Sequence, residues 1–377
     1  MKGFKKPDYI LLLASLTLLL LGILILSSVS AVFSMENFGE PDYLLKHQLL
    51  YGLLPGMAFG LAAFLIPLEV IKKVCFWLFF ANLLFLGLLV SSKIGLNLFG
   101  ASRWLKIGPV VFQPSEFLKL SLILYLSAWF SSQDFSLKTY AKSRFFSRLK
   151  PLVPFLMIIG VITALLALQP DIGTLGVIVL IGAAIFFVSG TPFWQNLSIW
   201  TFGLGILALL VKLAPYRLNR WLVFINPDFD PMGRGYQLKQ ALIAIGSGGV
   251  LGLGLGMSRQ KFGFLPQTIG DAIFPVFAEE AGFLGAVVLI LVFLVFLWQG
   301  FRISRRSKDA FSRLAGAGIS FWIGFQALIN ICSMTGLFPL TGVPLPFISY
   351  GGSHLTAELI GLGILLNISK KPYQQNP

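Results

Sequence analysis

The hydrophobic residues of this chain occur in long runs, separated by connections rich in charged residues, glycine and proline. A helix needs about 20 mainly apolar residues to cross the hydrocarbon layer of a membrane. Runs of this kind predict ten membrane-spanning helices, near residues 9–31, 49–67, 74–92, 115–131, 151–169, 172–190, 195–213, 272–300, 314–336 and 348–369. The pattern predicts an all-α polytopic membrane protein, with residues 1–377 in one membrane domain and a large loop at about 214–271.

The composition agrees with this interpretation and excludes the soluble classes of protein. Of the 377 residues, 56% are hydrophobic and only 12% are charged, and the mean hydropathy is +0.84. A soluble domain carries about 25% charged residues, so this chain lacks the polar groups needed to cover a soluble surface. Two cysteines, Cys75 and Cys332, and two histidines, His47 and His354, do not provide a disulfide framework or a zinc cluster.

The distribution of lysine and arginine predicts the orientation of the chain. Cytoplasmic connections of membrane proteins are enriched in these residues, and this rule places both termini in the cytoplasm. Two connections on the outer side, 93–114 and 212–271, are nevertheless basic. Long loops translocate whatever their charge, so this excess is either tolerated or forms a site for an anionic group such as a lipid phosphate. A nucleic-acid partner is not expected there.

Ionisable residues at membrane depth are costly and are therefore candidates for function. Glu116 and Lys119 are three residues apart, so on a helix they share a face and either neutralise each other or serve a site. Asp171 follows a proline and suits either the N-cap of the next span or a functional role. Asp271 precedes the eighth span, where it is either an N-cap or a general base.

Two glycine-rich segments interrupt the helical pattern. Residues 246–256 lack the Lys-Ser/Thr pair of a nucleotide-binding loop, so they predict either close approach of backbones between helices or a half-buried re-entrant segment. Residues 342–353 also contain prolines and cannot form a continuous helix; at membrane depth such a segment must line protein or water. His354, directly after it, is expected to be a hydrogen-bonded residue at the start of a helix.

Five motifs that occur in order along the chain resemble those of the SEDS family of polytopic membrane proteins, which includes FtsW, RodA and SpoVE. They lie at residues 100–119, 169–174, 235–261, 265–282 and 342–353. Together they extend over nearly the whole chain, about residues 8–369. The segments 214–217, 235–237 and 258–261 resemble the FtsW group more than the RodA group.

This resemblance implies the ten-helix SEDS fold and a peptidoglycan glycosyltransferase that polymerises lipid II into glycan strands for cell division. The reaction is expected at the outer face of the bacterial cytoplasmic membrane. The expected partners are lipid II, the nascent glycan strand, a class B penicillin-binding protein that cross-links the strands, and other membrane proteins of the division machinery. No cofactor is certain, although a divalent cation, Mg²⁺ or Mn²⁺, could assist the leaving group.

By the same resemblance, Asp271 matches the essential acidic residue of the family and is the expected general base. The expected ligands of the substrate pyrophosphate are Arg103, Lys119, Arg217 and Lys261, and the expected supporting residues are Gln113, Glu116, Asp171 and Ser349. The chain departs from the family pattern in two places. Gln267-Thr268-Ile269-Gly270 precedes Asp271 where Glu-Ala-His-Thr is usual, and His354 stands where a second small hydroxyl residue is common.

Three other functions remain open at this point. A lipid II flippase would use the same spans and charges to move the lipid between leaflets without making polymer. A RodA-like polymerase would act in cell elongation instead of division. A non-catalytic scaffold of the division machinery is consistent with the altered residues around Asp271.

Overall fold

The computed structural model describes residues 6–91, 96–98, 101–108, 110–132, 151–213 and 215–370, which form a bundle of apolar helices. The helices are α1 (Tyr9–Phe38), α2 (Tyr43–Gln48), α3 (Leu54–Leu65), α4 (Leu68–Ser91), α5 (Pro114–Ser131), α6 (Leu152–Leu168), α7 (Ile172–Val188), α8 (Phe193–Leu213), α9 (Pro215–Ile225), α10 (Arg234–Ser247), α11 (Ile273–Arg306), α12 (Ala310–Met334) and α13 (Gly352–Ser369). A π-helical turn, Leu49–Leu53, joins α2 to α3, and a 3₁₀ turn, Pro227–Phe229, follows α9.

Each of the ten predicted spans coincides with a helix, so the predicted fold class is confirmed. In the part of the chain that the structure describes, five helices are long and apolar enough to cross a membrane: Tyr9–Phe38, Tyr43–Leu65, Leu68–Val90, Ile273–Arg306 and Ala310–Met334. The second of these combines α2, the π-helical turn and α3. Helices α6 and α7 are shorter apolar helices.

A small antiparallel sheet, which the hydrophobic pattern did not predict, occupies the basic connection between α4 and α5. Its strands are β1 (Leu96–Leu98), β2 (Ala101–Ile107) and β3 (Val110–Phe112), in the order β1-β2-β3. The strands are short, and β2 carries charged and polar residues, so they lack the long apolar run by which the spans were recognised.

Helices α3 and α13 pack with unusually close backbones. Gly56 and Gly60 are four residues apart, so they lie on one face of α3. A Cβ atom at Gly60 would lie 2.7 Å from the carbonyl oxygen of Leu359, and one at Gly363 would lie 2.1 Å from the carbonyl oxygen of Gly60. Small residues spaced in this way let membrane helices approach until their backbones touch. These glycines therefore allow α13 to pack directly against the backbone of α3.

Helix α11 is interrupted at Gly282, whose φ of 69° and ψ of −172° are not helical. The glycine-rich segment after α10 fills this interruption: Leu253 and Gly254 donate backbone hydrogen bonds to the carbonyl oxygens of Glu279 and Glu280, both at 3.0 Å. Phe283 and Leu284 donate in return to the carbonyl oxygens of residues 249 and 250, at 2.9 and 3.1 Å. The prediction of close backbone approach by this segment is thus confirmed. The break in α11 therefore gives its freed backbone groups new protein partners, as a low-dielectric environment requires.

Candidate functional site

Asp271 lies in the loop immediately before α11 and is partly exposed. The N-cap position of α11 is Ala272, which makes no side-chain capping bond. Burial raises the pKa of the Asp271 carboxyl to about 6, against the lowering effects of the backbone N–H groups of Asp271 and Ala272 and of Arg220 and Arg234. A carboxylate with a pKa close to neutrality is suited to accept a proton during a reaction.

The two arginines that act electrostatically on Asp271 lie on separate elements of the large loop. Arg220 lies on α9, and its Nη1 donates a hydrogen bond of 3.0 Å to the carbonyl oxygen of Thr341. Arg234 is the first residue of α10, and its backbone N–H donates to the Asp230 carboxylate at 3.0 Å. Both residues are partly exposed, although one nitrogen of each guanidinium group is buried. The site therefore combines one carboxylate with two guanidinium groups.

The segment between α12 and α13, residues 341–351, forms the opposite wall of this site and is called the wall segment below. A Cβ atom at Gly342 would lie only 3.8 Å from Oδ2 of Asp271. The Ser349 hydroxyl donates to the carbonyl oxygen of Gly270 at 2.7 Å, and the Tyr350 backbone N–H donates to that of Ile269 at 2.9 Å. Ser349, a predicted supporting residue, thus holds the backbone next to Asp271.

Glu116 and Lys119 form the ion pair that their spacing predicted, with 2.7 Å between Lys119 Nζ and Glu116 Oε2. Both side chains are buried within α5 and its neighbours. The Lys119 ammonium also donates to Gln326 Oε1 at 2.9 Å, and the Glu116 carboxylate lies 3.0 Å from His354 Nδ1. The prediction that His354 is hydrogen-bonded near a helix start is confirmed, since α13 begins at Gly352.

Arg103 and Asp171 lie at the junction between α6 and α7. The Arg103 guanidinium donates from Nε to the carbonyl oxygen of Gln169 at 3.1 Å and from Nη2 to that of Pro170. These carbonyls follow the C-terminal end of α6, where a cation compensates the helix dipole. Asp171 is the N-cap of α7 and accepts from the Thr174 backbone N–H at 3.4 Å, so the N-cap interpretation of this residue is confirmed.

Gln113 contacts the start of α13 through its backbone N–H, which donates to the Ser353 hydroxyl at 3.0 Å. Lys261 is buried beside α11, where its ammonium lies 3.2 Å from Glu280 Oε1. The same ammonium donates to the Ser28 hydroxyl at 3.1 Å and to the Gly256 carbonyl oxygen at 2.6 Å. These three contacts use all three ammonium protons.

Of the predicted site residues, the structure therefore brings Ser349 to Asp271 and places Arg103, Lys119 and Lys261 on protein oxygens elsewhere in the bundle. The backbone of Arg217 lies in α9, but its side chain lies outside the described residues. Arg220 and Arg234 belong to the basic connection 212–271, and no motif in the sequence assigned either of them to the site. The prolines and glycines around them interrupt any helical or strand periodicity. The sequence pattern therefore does not predict that these arginines lie near Asp271.

A divalent cation has no dedicated cage in the described residues, since no three His, Cys, Asp or Glu side chains there are grouped so that they could hold one. Mg²⁺ is commonly held by one or two carboxylates together with substrate phosphates. Asp271 could supply one such carboxylate.

Comparisons with known proteins identify the family of this chain. A family model described as "Cell cycle protein", for FtsW, RodA and SpoVE, matches residues 9–374. The chain is 35% identical to stage V sporulation protein E of Bacillus subtilis, with 97% of each chain covered. It is 36% identical to the probable peptidoglycan glycosyltransferase FtsW of Coxiella burnetii, with 96% of each covered.

Solved structures show the same fold. One, described as the structural coordination of polymerization and crosslinking by a peptidoglycan synthase complex, has a TM-score of 0.75 and 27% identity, with 96% of this chain and 97% of that chain covered. The rod shape determining protein RodA of Thermus thermophilus has a TM-score of 0.69 and 27% identity, with 98% of each chain covered. The chain is therefore a multi-pass membrane protein, and it belongs to the FtsW, RodA and SpoVE family, as its motifs predicted.

Proposed function

We propose that this chain is a peptidoglycan glycosyltransferase that polymerises lipid II into glycan strands for cell division. The observation that carries the proposal is the environment of Asp271, a carboxylate with a pKa of about 6 that lies within the electrostatic influence of Arg220 and Arg234. The names of the FtsW relatives and the description of the peptidoglycan synthase complex support the same reaction.

In the proposed reaction, Asp271 accepts the proton of the attacking sugar hydroxyl. The hydroxyl oxygen forms a bond to the anomeric carbon of the other sugar, and the bond from that carbon to the pyrophosphate oxygen breaks. The electron pair of the broken bond remains on the lipid pyrophosphate, which leaves as an anion. A positioned base with a pKa near the working pH contributes about 10²–10⁴-fold to such a step.

Arg220 and Arg234 are the proposed ligands of the leaving pyrophosphate. Guanidinium groups bind phosphate oxygens through paired, charge-assisted hydrogen bonds, and they stabilise the negative charge that develops as the bond breaks. Arg217, one turn before Arg220 on α9, is proposed as a further ligand. Arg103 and Lys261 are proposed as supporting residues, because their charged groups already hold the backbone of the helices and loops around the site.

The remaining residues support the site from within the bundle. Lys119 and Glu116 are proposed to brace α5 against α12 and α13, and Asp171 to fix the α6–α7 junction. Gln113 joins the end of the small sheet to α13. None of these residues is assigned a proton transfer.

The proposed topology follows from the charge distribution and the reaction. Both termini lie in the cytoplasm, and residues 214–271, which carry Arg220 and Arg234, face outwards at the bacterial cytoplasmic membrane. The proposed partner is a class B penicillin-binding protein, which cross-links the strands, with other membrane proteins of the division machinery around the pair.

The test is polymerisation of lipid II by the purified protein with its transpeptidase and a divalent cation. We expect polymer from the unaltered chain, and about a 10²–10⁴-fold loss of rate for Asp271→Asn. Arg220→Gln and Arg234→Gln should each reduce the rate by about 10–1000-fold, since each removes a ligand of the developing charge. Arg259→Gln is the matched control, because Arg259 is an exposed cation of the same loop. This substitution should leave the rate unchanged.

Full activity of Asp271→Asn would overturn the assignment of the base. An unaltered chain that makes no polymer, but moves labelled lipid II between the leaflets of reconstituted vesicles, would replace the polymerase with a flippase. Normal division supported by Asp271→Ala would favour a scaffold. Complementation of an elongation defect instead of a division defect would favour a RodA-like role.

A further inference from the structure

A chain of buried charged side chains crosses the bundle from α5 to α13, and it consists of Lys119, Glu116, His354 and Glu358. Lys119 Nζ lies 2.7 Å from Glu116 Oε2, and His354 Nδ1 lies 3.0 Å from the same oxygen. On the far side of the imidazole ring, His354 Nε2 lies 3.1 Å from Glu358 Oε1. The relative exposures of these residues are 1%, 3%, 4% and 0%, so water does not screen their charges.

The positions of these four groups suit an imidazolium ion at His354. An imidazole ring has two nitrogens, and both of them face a carboxylate here; only the cation carries a proton on each nitrogen. With His354 charged, two cations balance two carboxylates. With His354 neutral and Glu358 ionised, a net negative charge would remain in the bundle, and an unbalanced buried charge is strongly unfavourable. Glu116, Lys119 and Glu358 are the charged groups that the described residues bring against this ring.

Glu358 connects this buried charge chain to the wall segment. Its Oε2 accepts a hydrogen bond of 2.8 Å from the backbone N–H of Phe347. Phe347 has a φ of 63°, a left-handed conformation that is rare and unfavourable for residues other than glycine. Such a conformation persists only where the surroundings hold it, and the Glu358 carboxylate is one of the groups that do so. On the Lys119 side of the bundle, Gln326 Nε2 donates a hydrogen bond of 3.1 Å to the carbonyl oxygen of Pro344.

From Phe347 the contacts continue to the site within two residues. Ser349 accepts from the Leu345 backbone N–H at 2.8 Å, and its hydroxyl donates to the carbonyl oxygen of Gly270 at 2.7 Å. The Tyr350 backbone N–H donates to the carbonyl oxygen of Ile269 at 2.9 Å. The buried charge chain thus holds the segment that in turn holds the residues directly before Asp271.

We propose that His354 and Glu358 are positioning residues for Asp271, which act by fixing the wall segment through a balanced set of buried charges. Neither residue touches the reacting atoms. The catalytic part of this inference rests on the proposed function, whereas the structural part, the hold of Glu358 on the wall segment, does not.

The inference predicts unequal effects for two matched neutral substitutions. His354→Gln leaves Glu358 buried without a cation, whereas Glu358→Gln lets His354 release one proton and remain bonded to Glu116. The double variant His354→Gln/Glu358→Gln restores charge balance, and the new side-chain amide at position 358 can still accept from Phe347. We therefore expect His354→Gln to be the most damaging of the three variants, and the second substitution to rescue it.

The first measurement is hydrogen–deuterium exchange of the purified full chain in detergent, which requires no activity. Peptides covering 341–351 and 267–272 should exchange at least about tenfold faster in His354→Gln and return towards the unaltered rate in the double variant. Peptides in α6, which lies away from the wall segment, should not change. Equal exchange in all four proteins would overturn the inference, whether or not the chain makes polymer.

The second measurement is the rate of lipid II polymerisation by the same four proteins. For His354→Gln, kcat should fall by about 10–100-fold with little change in KM, because the substitution displaces Asp271 and not the substrate contacts. The double variant should recover to within a few fold. A polymerase-active chain whose kcat is unaffected by His354→Gln would contradict the positioning role while leaving the proposed function intact.

A third measurement reports the charge of His354 directly. The chain contains two histidines, so ¹⁵N-labelled histidine gives two sets of ring signals, and His47→Gln identifies those of His354. Both nitrogens of His354 should carry protons at pH 7. A neutral ring with one bare nitrogen would place the shared proton on Glu358 and would contradict the His354–Glu358 ion pair on which the inference depends.

Discussion

The side-chain amide nitrogen of Asn330 lies 2.8 Å from the backbone carbonyl oxygen of Asp271. The same nitrogen lies 2.8 Å from the carbonyl oxygen of Val343. Asn330 is fully buried in α12, so one side chain of a long membrane helix joins the loop that carries the proposed base to the wall segment. The position of Asp271 is therefore set by the core of the bundle.

Replacement of Asn330 by leucine should lower both stability and activity. Leucine has a similar volume but cannot donate, so the carbonyl groups of Asp271 and Val343 lose a buried partner at about 1–3 kcal/mol each. The measurements are the thermal unfolding midpoint and the rate of lipid II polymerisation. Asn367→Leu is a matched control, because Asn367 also donates to two carbonyl oxygens, those of Ala63 and Ile66, but at the far end of α13. Both variants should be less stable, and only Asn330→Leu should lose kcat; an equal loss in both would reject the specific role.

Asp271→Asn should lower the rate of polymerisation by about 10²–10⁴-fold and stabilise the folded protein. The pKa of Asp271 is raised from 3.8 to about 6, so the folded state binds this proton more tightly than the unfolded state does. The free energy of unfolding therefore falls as the pH rises from about 4 to 6, and above this window the ionised carboxylate destabilises the protein. Asparagine removes that penalty of about 1–2 kcal/mol, after allowance for the partial exposure of the group. Unfolding midpoints of both proteins at pH 4 and pH 8 test this: the advantage of the variant should appear only at the higher pH.

The pH dependence of polymerisation follows from the same pKa. A general base must be deprotonated before it can accept a proton, so kcat/KM should fall about tenfold per pH unit below pH 6. Initial rates of the unaltered protein between pH 4.5 and 8 would measure the midpoint. The control is the pH dependence of unfolding over the same range, which separates titration of the base from loss of fold. A rate that is flat from pH 8 to pH 5 would exclude Asp271 as the base.

Lys261→Met should be strongly destabilising, because it leaves the Glu280 carboxylate buried without its cation. Breaking a buried pair in this way costs about 3–5 kcal/mol, and Lys261→Met/Glu280→Gln should recover a large part of the loss. Lys239→Met is the control: Lys239 pairs with Asp228 on the surface, and such pairs contribute about 0–1 kcal/mol. Chemical or thermal unfolding of these variants and the unaltered chain measures the differences. A stable Lys261→Met variant with a raised KM for lipid II would instead show that Lys261 binds substrate.

Gly282→Ala should disrupt the contact between α11 and the glycine-rich segment. An added Cβ atom would lie 2.2 Å from the backbone nitrogen of Gly252, and alanine is also unfavourable at a φ of 69°. We expect a severe loss of stability, or no folded protein. Gly176→Ala is the control, because Gly176 lies in α7 with nothing within 4 Å of its Cβ position. Expression and unfolding of the two variants should differ clearly, and equal stability would contradict the observed packing.

The helices and their order could be predicted from the sequence, because the cost of burying polar groups in a membrane imposes long apolar runs that are visible without any structure. The Glu116–Lys119 pair and the Asp171 cap were also predictable, since each depends on residues within four positions of one another. Asp271 was identified through motifs that match those of a family. Its surroundings were not needed for that identification.

The partners of Asp271 could not be predicted, because they come from distant parts of the chain. Arg220, Arg234 and Asn330 belong to three different helices, and only the folded bundle brings them together. The same holds for Lys261, whose charge marks it as a candidate for phosphate binding although its ammonium is taken up by Glu280. Charge is visible in a sequence, whereas the group that neutralises it becomes visible only in three dimensions.

The contact of α13 with α3 has a consequence for how the protein is made. The ribosome makes α3 long before α13. The glycine face of α3 can therefore pack against α13 only after this last of the described helices has been made. The wall segment is anchored at one end by α13, so the Asp271 loop is complete only after that late helix has been inserted. A nascent chain that stalls after α12 would carry Asp271 and its partner Asn330, but it would lack the helix that anchors the far end of the wall segment. The surroundings of Asp271 are therefore completed only when the last of the described helices is in place.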